Sequence, residues 1–185
     1  YHYRFTSFLQ PDDMVKHIAD KKIFMQSLFP SLREKLVYRP PFSDGGWDEE
    51  RLLQDEFRGV RRVPEGSLVD LMKEAKVVVI DHPHTSFLEA LTVNVPSVFY
   101  WDHDVYLMRG EAERYLQLLR EVGILYRDPL AAAQKINTIF AEPLAWWQRE
   151  DVQYAREHFC RRYALTSNDC LGLWVKELRD LASVQ

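Results

Sequence analysis

Residues 76–101, KVVVIDHPHTSFLEALTVNVPSVFYW, constrain this chain more than any other stretch. Val77, Val78, Val79 and Ile80 are consecutive β-branched residues. A run that is apolar on both faces suits a buried strand of a parallel sheet better than a surface strand. Segment 76–80 is therefore expected to be a central strand. Pro83 disfavours helical geometry at His82, so the chain must turn through Asp81-His82-Pro83-His84 before a helix can start. Ser86 precedes Glu89 at the spacing of a capping box. Phe87, Leu88, Leu91 and Val95 give that helix an apolar side, and Asn94 with Pro96 ends it. Segment 97–100 reads as the following strand. The pattern is a βαβ unit whose first strand delivers polar residues to a helix N-terminus. Ligands of open α/β sheets bind at the carboxyl ends of the strands. A helix N-terminus also presents N–H groups and partial positive charge to an anion.

The rest of the chain fits one α/β domain. It has 185 residues, enough for a substantial core. Segment 1–10 reads as a short strand or an irregular lead-in. Segment 11–28 looks helical, with Met14, Ile18, Phe24, Met25 and Leu28 partly repeating at helical spacing. Segment 32–38 reads as a strand stopped by Arg39-Pro40-Pro41. The composition of 43–47 is that of a loop. Asp48 is placed to cap a short helix running to Phe57, Val60 to Val63 is a weak strand candidate, and Ser67 is placed to cap a helix through Ala75. A helix over 111–122 ends at Gly123, and 124–126 is a short strand. Asp128 caps a helix over 129–140, with Pro129 at its first position. Segments 145–163 and 169–182 read as closing helices. The expected fold class is thus α/β: a Rossmann-like parallel sheet flanked by helices, with a helical C-terminal tail. Residues 1–143 would form the domain, and 144–185 would pack on it.

Charge and cysteine usage narrow the setting. The net charge of −4 gives no overall reason to expect nucleic acid as a partner. Cys160 and Cys170 lie outside metal-ligand spacings and read as free thiols of a reducing cytoplasm. No apolar run reaches transmembrane length, and no signal peptide is visible. The chain starts without Met, inside the phrase YHYRF, which fits an excised fragment.

The turn carries the candidate chemistry. Thr85 and Ser86 suit either capping alone or an anion site made of backbone N–H groups and hydroxyls. Glu89 suits the capping box or a ligand hydroxyl. Asp81, His82 and His84 are denser in polar groups than a plain turn needs. They fit ligand contact or acid/base work first, a solvated turn second, and third a metal site completed near Asp102, His103 and Asp104. Arg39, at the end of an earlier strand, is placed to bind phosphate or carboxylate on the same sheet edge, or to make a surface ion pair. Trp47, Trp101 and Tyr106 suit stacking on a base or sugar, or burial. Trp146 and Trp147 read as packing residues.

The pattern Asp81-x-x-x-Thr85-Ser86-x-x-Glu89-Ala90-Leu91-x-x-Asn94-x-Pro96 resembles the C-terminal half of GT-B glycosyltransferase-type enzymes. In particular it is similar to an uncharacterised bacterial family of transferases found with surface-carbohydrate biosynthesis. Arg39, Gly46-Trp47, Gly123-Ile124 and Trp146-Trp147 extend the resemblance over most of the chain. A looser similarity links the turn to the glycerophosphotransferases that build teichoic-acid polymers. The resemblance implies donor-diphosphate binding by Thr85 and Ser86, with Glu89 on donor hydroxyls. It places His84 beside the transferred group, with Asp81 as its catalytic companion and Arg39 and Asp102 among the donor-binding residues. This chain has His84-Thr85-Ser86 where those relatives carry tandem serines, so the donor does not carry over. The implied partners are a nucleotide-activated sugar or polyol donor and an N-terminal domain of the same protein. Membrane association would be peripheral, through the full-length enzyme at the inner face of the membrane. No cofactor is implied. Two other readings stand beside it: a metal-dependent hydrolase using His82, His84 and Asp102, and a non-catalytic ligand-binding or assembly domain.

Overall fold

The computed structural model describes residues 11–40 and 47–183. The expected lead-in over 1–10 and most of the 43–47 loop fall outside these residues. In chain order the elements are α1 (Pro11–Ser27), α2 (Pro30–Arg33), β1 (Val37–Tyr38), α3 (Glu49–Leu52), β2 (Arg61–Arg62), α4 (Leu68–Glu74), β3 (Val78–Ile80) and α5 (Thr85–Val93). They continue with β4 (Ser97–Tyr100), α6 (Gly110–Glu121), β5 (Leu125–Tyr126), α7 (Pro129–Ile139), α8 (Pro143–Trp147), α9 (Glu150–Tyr163) and α10 (Cys170–Ala182). The fold is α/β, with two small parallel sheets among helices.

The main sheet has the order β3-β4-β5, all parallel, with Val79 opposite Val98 and Phe99 opposite Leu125. This corrects the expectation that segment 76–80 is central. Strand β4 holds the middle and is buried at all its positions, whereas Val79 of β3 is 37% exposed. The reason is pairing. Strand β1 joins β2, through Val37 opposite Arg61, in a separate sheet, so that among the described residues β3 lies at an edge.

Helix α5 links β3 to β4, α6 links β4 to β5, and α9 packs against both helices. On the other side of the core, α1 packs along α7, which lies on β4 and β5. Phe87 sits at the centre of the first layer, edge-on to Phe99, Trp101 and Phe159. Such aromatic pairs add to the stabilisation that burial alone provides.

Several boundaries follow local chemistry. Ser67 Oγ accepts from the Asp70 N–H at the start of α4, and Asp128 accepts from the N–H groups of Leu130 and Ala131 at the start of α7. Gly123 takes φ +76° just past α6, a backbone region that glycine enters without a Cβ clash. Other expectations fail. Segment 32–38 is not a strand throughout, because Pro30 opens the short helix α2 and only Val37–Tyr38 pair. The helix expected over 145–163 is two helices, broken at Gln148 and Arg149.

The C-terminal tail divides in its behaviour. Helices α8 and α9 contribute Trp146, Trp147, Val152, Ala155 and Phe159 to the core. Trp147 donates to Asn94 Oδ1 at 2.8 Å and so ties α8 to the end of α5. Trp146 and Trp147 pack as their sequence reading expects. These two residues are themselves 6% and 2% exposed, Leu144 beside them in α8 is 54% exposed, and the largest group of exposed apolar side chains along one helix lies on α10. No residue of α10 is buried, and Leu171, Trp174, Leu178 and Leu181 share one helical face in solvent.

Candidate functional site

Parallel pairing brings the carboxyl ends of β3 and β4 to one edge, with Asp81 following the first strand and Asp102 following Trp101 after the second. Both carboxylates line the same small depression, together with Lys16, His17, Asp20, Tyr100 and Tyr106. The turn and the first residues of α5 stand beside it. His84 is at the N-cap position, and Thr85 and Ser86 open the helix. The first N–H groups of a helix have no intrahelical acceptor, and Thr85 lies exposed there.

Helix α1 supplies the residues that the sequence reading missed. Lys21 Nζ lies 2.9 Å from Asp81 Oδ2 and also contacts Glu49 Oε1, which in turn accepts from the Tyr38 hydroxyl at 2.8 Å. His17 Nε2 is 3.5 Å from Asp81 Oδ2. Lys16 pairs with Asp102. A basic face of α1 therefore covers both strand ends. The signal was present in the sequence. Lys21 interrupts the stripe Met14, Ile18, Met25 at a position where helical spacing calls for an apolar residue.

Electrostatics follow from this cover. Burial pushes the Asp81 carboxyl up, but Lys21, then His17 and His82, outweigh it and hold the carboxyl well below the usual carboxylate range. Burial pushes the Lys21 ammonium down, and Asp81 and Glu49 outweigh that too, so its pKa stands above the ordinary value. Burial lowers His17, and burial followed by the neighbouring His82 lowers His84. The hydrogen bond from Lys16 is the main reason that Asp102 titrates below its ordinary value. At neutral pH Asp81 and Asp102 are carboxylates, Lys16 and Lys21 are ammonium ions, and His17 and His84 are neutral.

The turn itself is ordered by side chains. Asp81 Oδ1 lies 2.8 Å from His82 Nδ1, and His82 Nε2 lies 3.4 Å from Ser86 Oγ. Asp81 is ionised and can only accept, so Nδ1 carries the proton. The rings of His82 and His84 meet at 4.8 Å, and Tyr106 stands edge-on to His84. Ser86 is not a helix cap, which corrects the capping-box expectation. The cap position falls on His84, so Ser86 lies inside the first turn and its hydroxyl points to His82.

The remaining candidates separate. Glu89 is half-buried in the second turn of α5. Arg39 belongs to the β1 sheet, not to the β3–β4 edge, and donates to the carbonyls of Val63, Glu65 and Gly66. Trp47 and Tyr106 pack partly buried against the core. Trp101 is 2% exposed, and its indole Nε1–H has no hydrogen-bond partner among the described residues. Among the described residues no group of three or more His, Cys, Asp or Glu side chains converges as a metal-ligand set. His82, His84 and Asp102 are accordingly not assembled as one. Cys160 and Cys170 are free thiols. Among the described residues no helix is long and apolar enough to cross a membrane.

The arrangement can receive an anion at the start of α5 and hold an oriented imidazole beside it. No curated protein and no solved structure matches the sequence. Residues 1–178 match the family described as LIC12162 family transferase, and the chain belongs to that transferase family.

Proposed function

We propose that this chain is the donor-binding half of a GT-B-type transferase that moves a glycosyl or polyol-phosphate group from a nucleotide-activated donor in surface-polysaccharide biosynthesis. One observation carries the reading. Two parallel strands end side by side at Asp81 and Asp102, and the helix between them begins with His84, Thr85 and Ser86 at the same edge. A donor diphosphate would take the first N–H groups of α5 and the Thr85 hydroxyl. Glu89 would face donor hydroxyls. The ionised Asp81 and the neutral His84 would flank the transferred group, with Asp102 at the opposite wall. Catalysis would consist of positioning and stabilisation of the departing diphosphate. Arg39 would act by holding the 63–66 turn, or on the donor if it exchanges its carbonyl partners for phosphate.

The exposed apolar face of α10 supports a further domain of the same protein as partner, as the two-domain resemblance implies. That domain would bring much of the acceptor site. A cytoplasmic enzyme associated peripherally with the membrane fits this role.

Calorimetric titration with a panel of nucleoside diphosphates tests the donor site. Thr85→Val keeps shape and removes the hydroxyl. It should weaken diphosphate binding by about 1–2 kcal/mol, the worth of one hydrogen bond to a charged group. Binding of the free nucleoside should change far less. Equal weakening of both ligands would sink the assignment, and a loss of thermal stability alone would make Thr85 a structural residue.

A further inference from the structure

The donor reading uses Asp81 and Ser86 singly and does not require the side-chain contacts that link them through His82. Lys21 takes one Asp81 oxygen, Oδ2, at 2.9 Å, and leaves Oδ1 for His82 Nδ1 at 2.8 Å. The two carboxylate oxygens thus have separate tasks. In the neutral ring this leaves the lone pair on Nε2, which faces the Ser86 hydroxyl at 3.4 Å. That distance is long for a hydrogen bond, but such contacts tighten when a substrate is held. A serine hydroxyl, an imidazole and an orienting carboxylate in this order are the parts of an activated nucleophile, which is recognised by geometry and roles and not by fold. Position adds to this. Ser86 lies in the first turn of a helix that follows a strand, where helix N–H groups can stabilise developing negative charge. His82 and Ser86 are only partly buried, so a reactant can reach them.

We propose that Ser86 is a nucleophile towards an electrophilic phosphorus centre, with His82 as its proton acceptor and Asp81 as the group that positions His82. In the first step Ser86 Oγ bonds to phosphorus and the bond from phosphorus to the leaving oxygen breaks. The Ser86 proton passes to His82 Nε2 and on to the leaving oxygen. In the second step an acceptor hydroxyl bonds to the same phosphorus and the bond to Ser86 Oγ breaks. The acceptor's proton travels through His82 back to Ser86. For its natural substrate this step rests on the transferase reading, but the reactivity of Ser86 does not.

An alkyl fluorophosphonate bearing a reporter group tests the relay on the chain as it stands. Ser86 attack releases fluoride and leaves a stable phosphonate ester, which peptide mass spectrometry locates. One adduct per chain on Ser86 is expected, and none in Ser86→Ala. His82→Gln should slow labelling at least tenfold, towards the range typical of a lost general base. Asp81→Asn should slow it too, but that change also disturbs Lys21, so His82→Gln is the decisive variant. Circular dichroism confirms that each variant is folded. No adduct on the folded chain, an adduct on other serines at the same rate, or unchanged labelling in His82→Gln would each overturn the proposal. Diphosphate titration of the same sample separates the two readings. Binding without labelling rejects the relay alone, and labelling without binding rejects the donor site alone.

Discussion

Lys21→Met isolates the ion cluster under α1. The substitution keeps the length of the side chain and removes its ammonium. The Lys21, Asp81 and Glu49 side chains are 12%, 16% and 7% exposed, so the variant leaves buried carboxylates without their main counter-charge. Removing one partner of a buried pair costs about 3–5 kcal/mol. Here His82 still bonds Asp81, and Tyr38 still bonds Glu49. These residual bonds place the expectation at the lower end, about 3 kcal/mol at pH 7. Urea denaturation should show a lower midpoint at unchanged slope. For a chain of this size Tm should fall by about 6–12 °C. The pH dependence is a second readout. The folded-state pKa of Asp81 is depressed, so its contribution is present above its unfolded pKa and is lost as pH falls through the folded value. Without Lys21 the same carboxyl takes up its proton at a higher pH. The gap between the two proteins should therefore narrow as pH falls below about 4. Adding Asp81→Asn should recover part of the loss, because the unpaired charge is then gone. A cost below about 1 kcal/mol at pH 7, or a gap that does not narrow on acidification, would refute the reasoning.

Three further outcomes follow from the same structure. Arg39→Ala should lower stability by about 2 kcal/mol in denaturant melts, since its guanidinium holds three carbonyls of the 63–66 turn. Loss of diphosphate affinity at unchanged stability would instead make Arg39 a ligand residue. His17 has a folded pKa lowered chiefly by burial, so the unfolded chain binds more protons below pH ~6.5 and stability falls as pH drops through that range; His17→Gln should flatten this loss between pH 7 and pH 5. Trp174 is 66% exposed on α10, so Trp174→Ala should leave the stability of this chain within about 0.5 kcal/mol, as read by thermal melts.

What the sequence determined by itself was set by near neighbours along the chain. The β-branched run before Asp81 made a strand, Pro83 forced the turn, and Ser67 and Asp128 capped the helices that follow them. Gly123 ended α6, and segment 97–100 came out as β4 with the same bounds. Placing Asp81, Thr85 and Ser86 at a strand end and a helix start needed no more than this local order. The tertiary structure alone decided which strand is central, because pairing depends on distant partners: among the described residues β1 pairs with β2, and β3 lies at an edge. It also decided the cap of α5. Helical geometry began one residue before Ser86, so a hydroxyl with capping-box spacing became a neighbour of His82. The cover of the site was out of reach of local reading for the same reason. Lys16 meets Asp102 across 86 residues of chain, and Lys21 joins Asp81 to Glu49 only once α1 has packed along α7. A lysine in an apolar stripe marks a buried charge in one dimension, but only packing in three dimensions supplies the carboxylates that make its burial favourable.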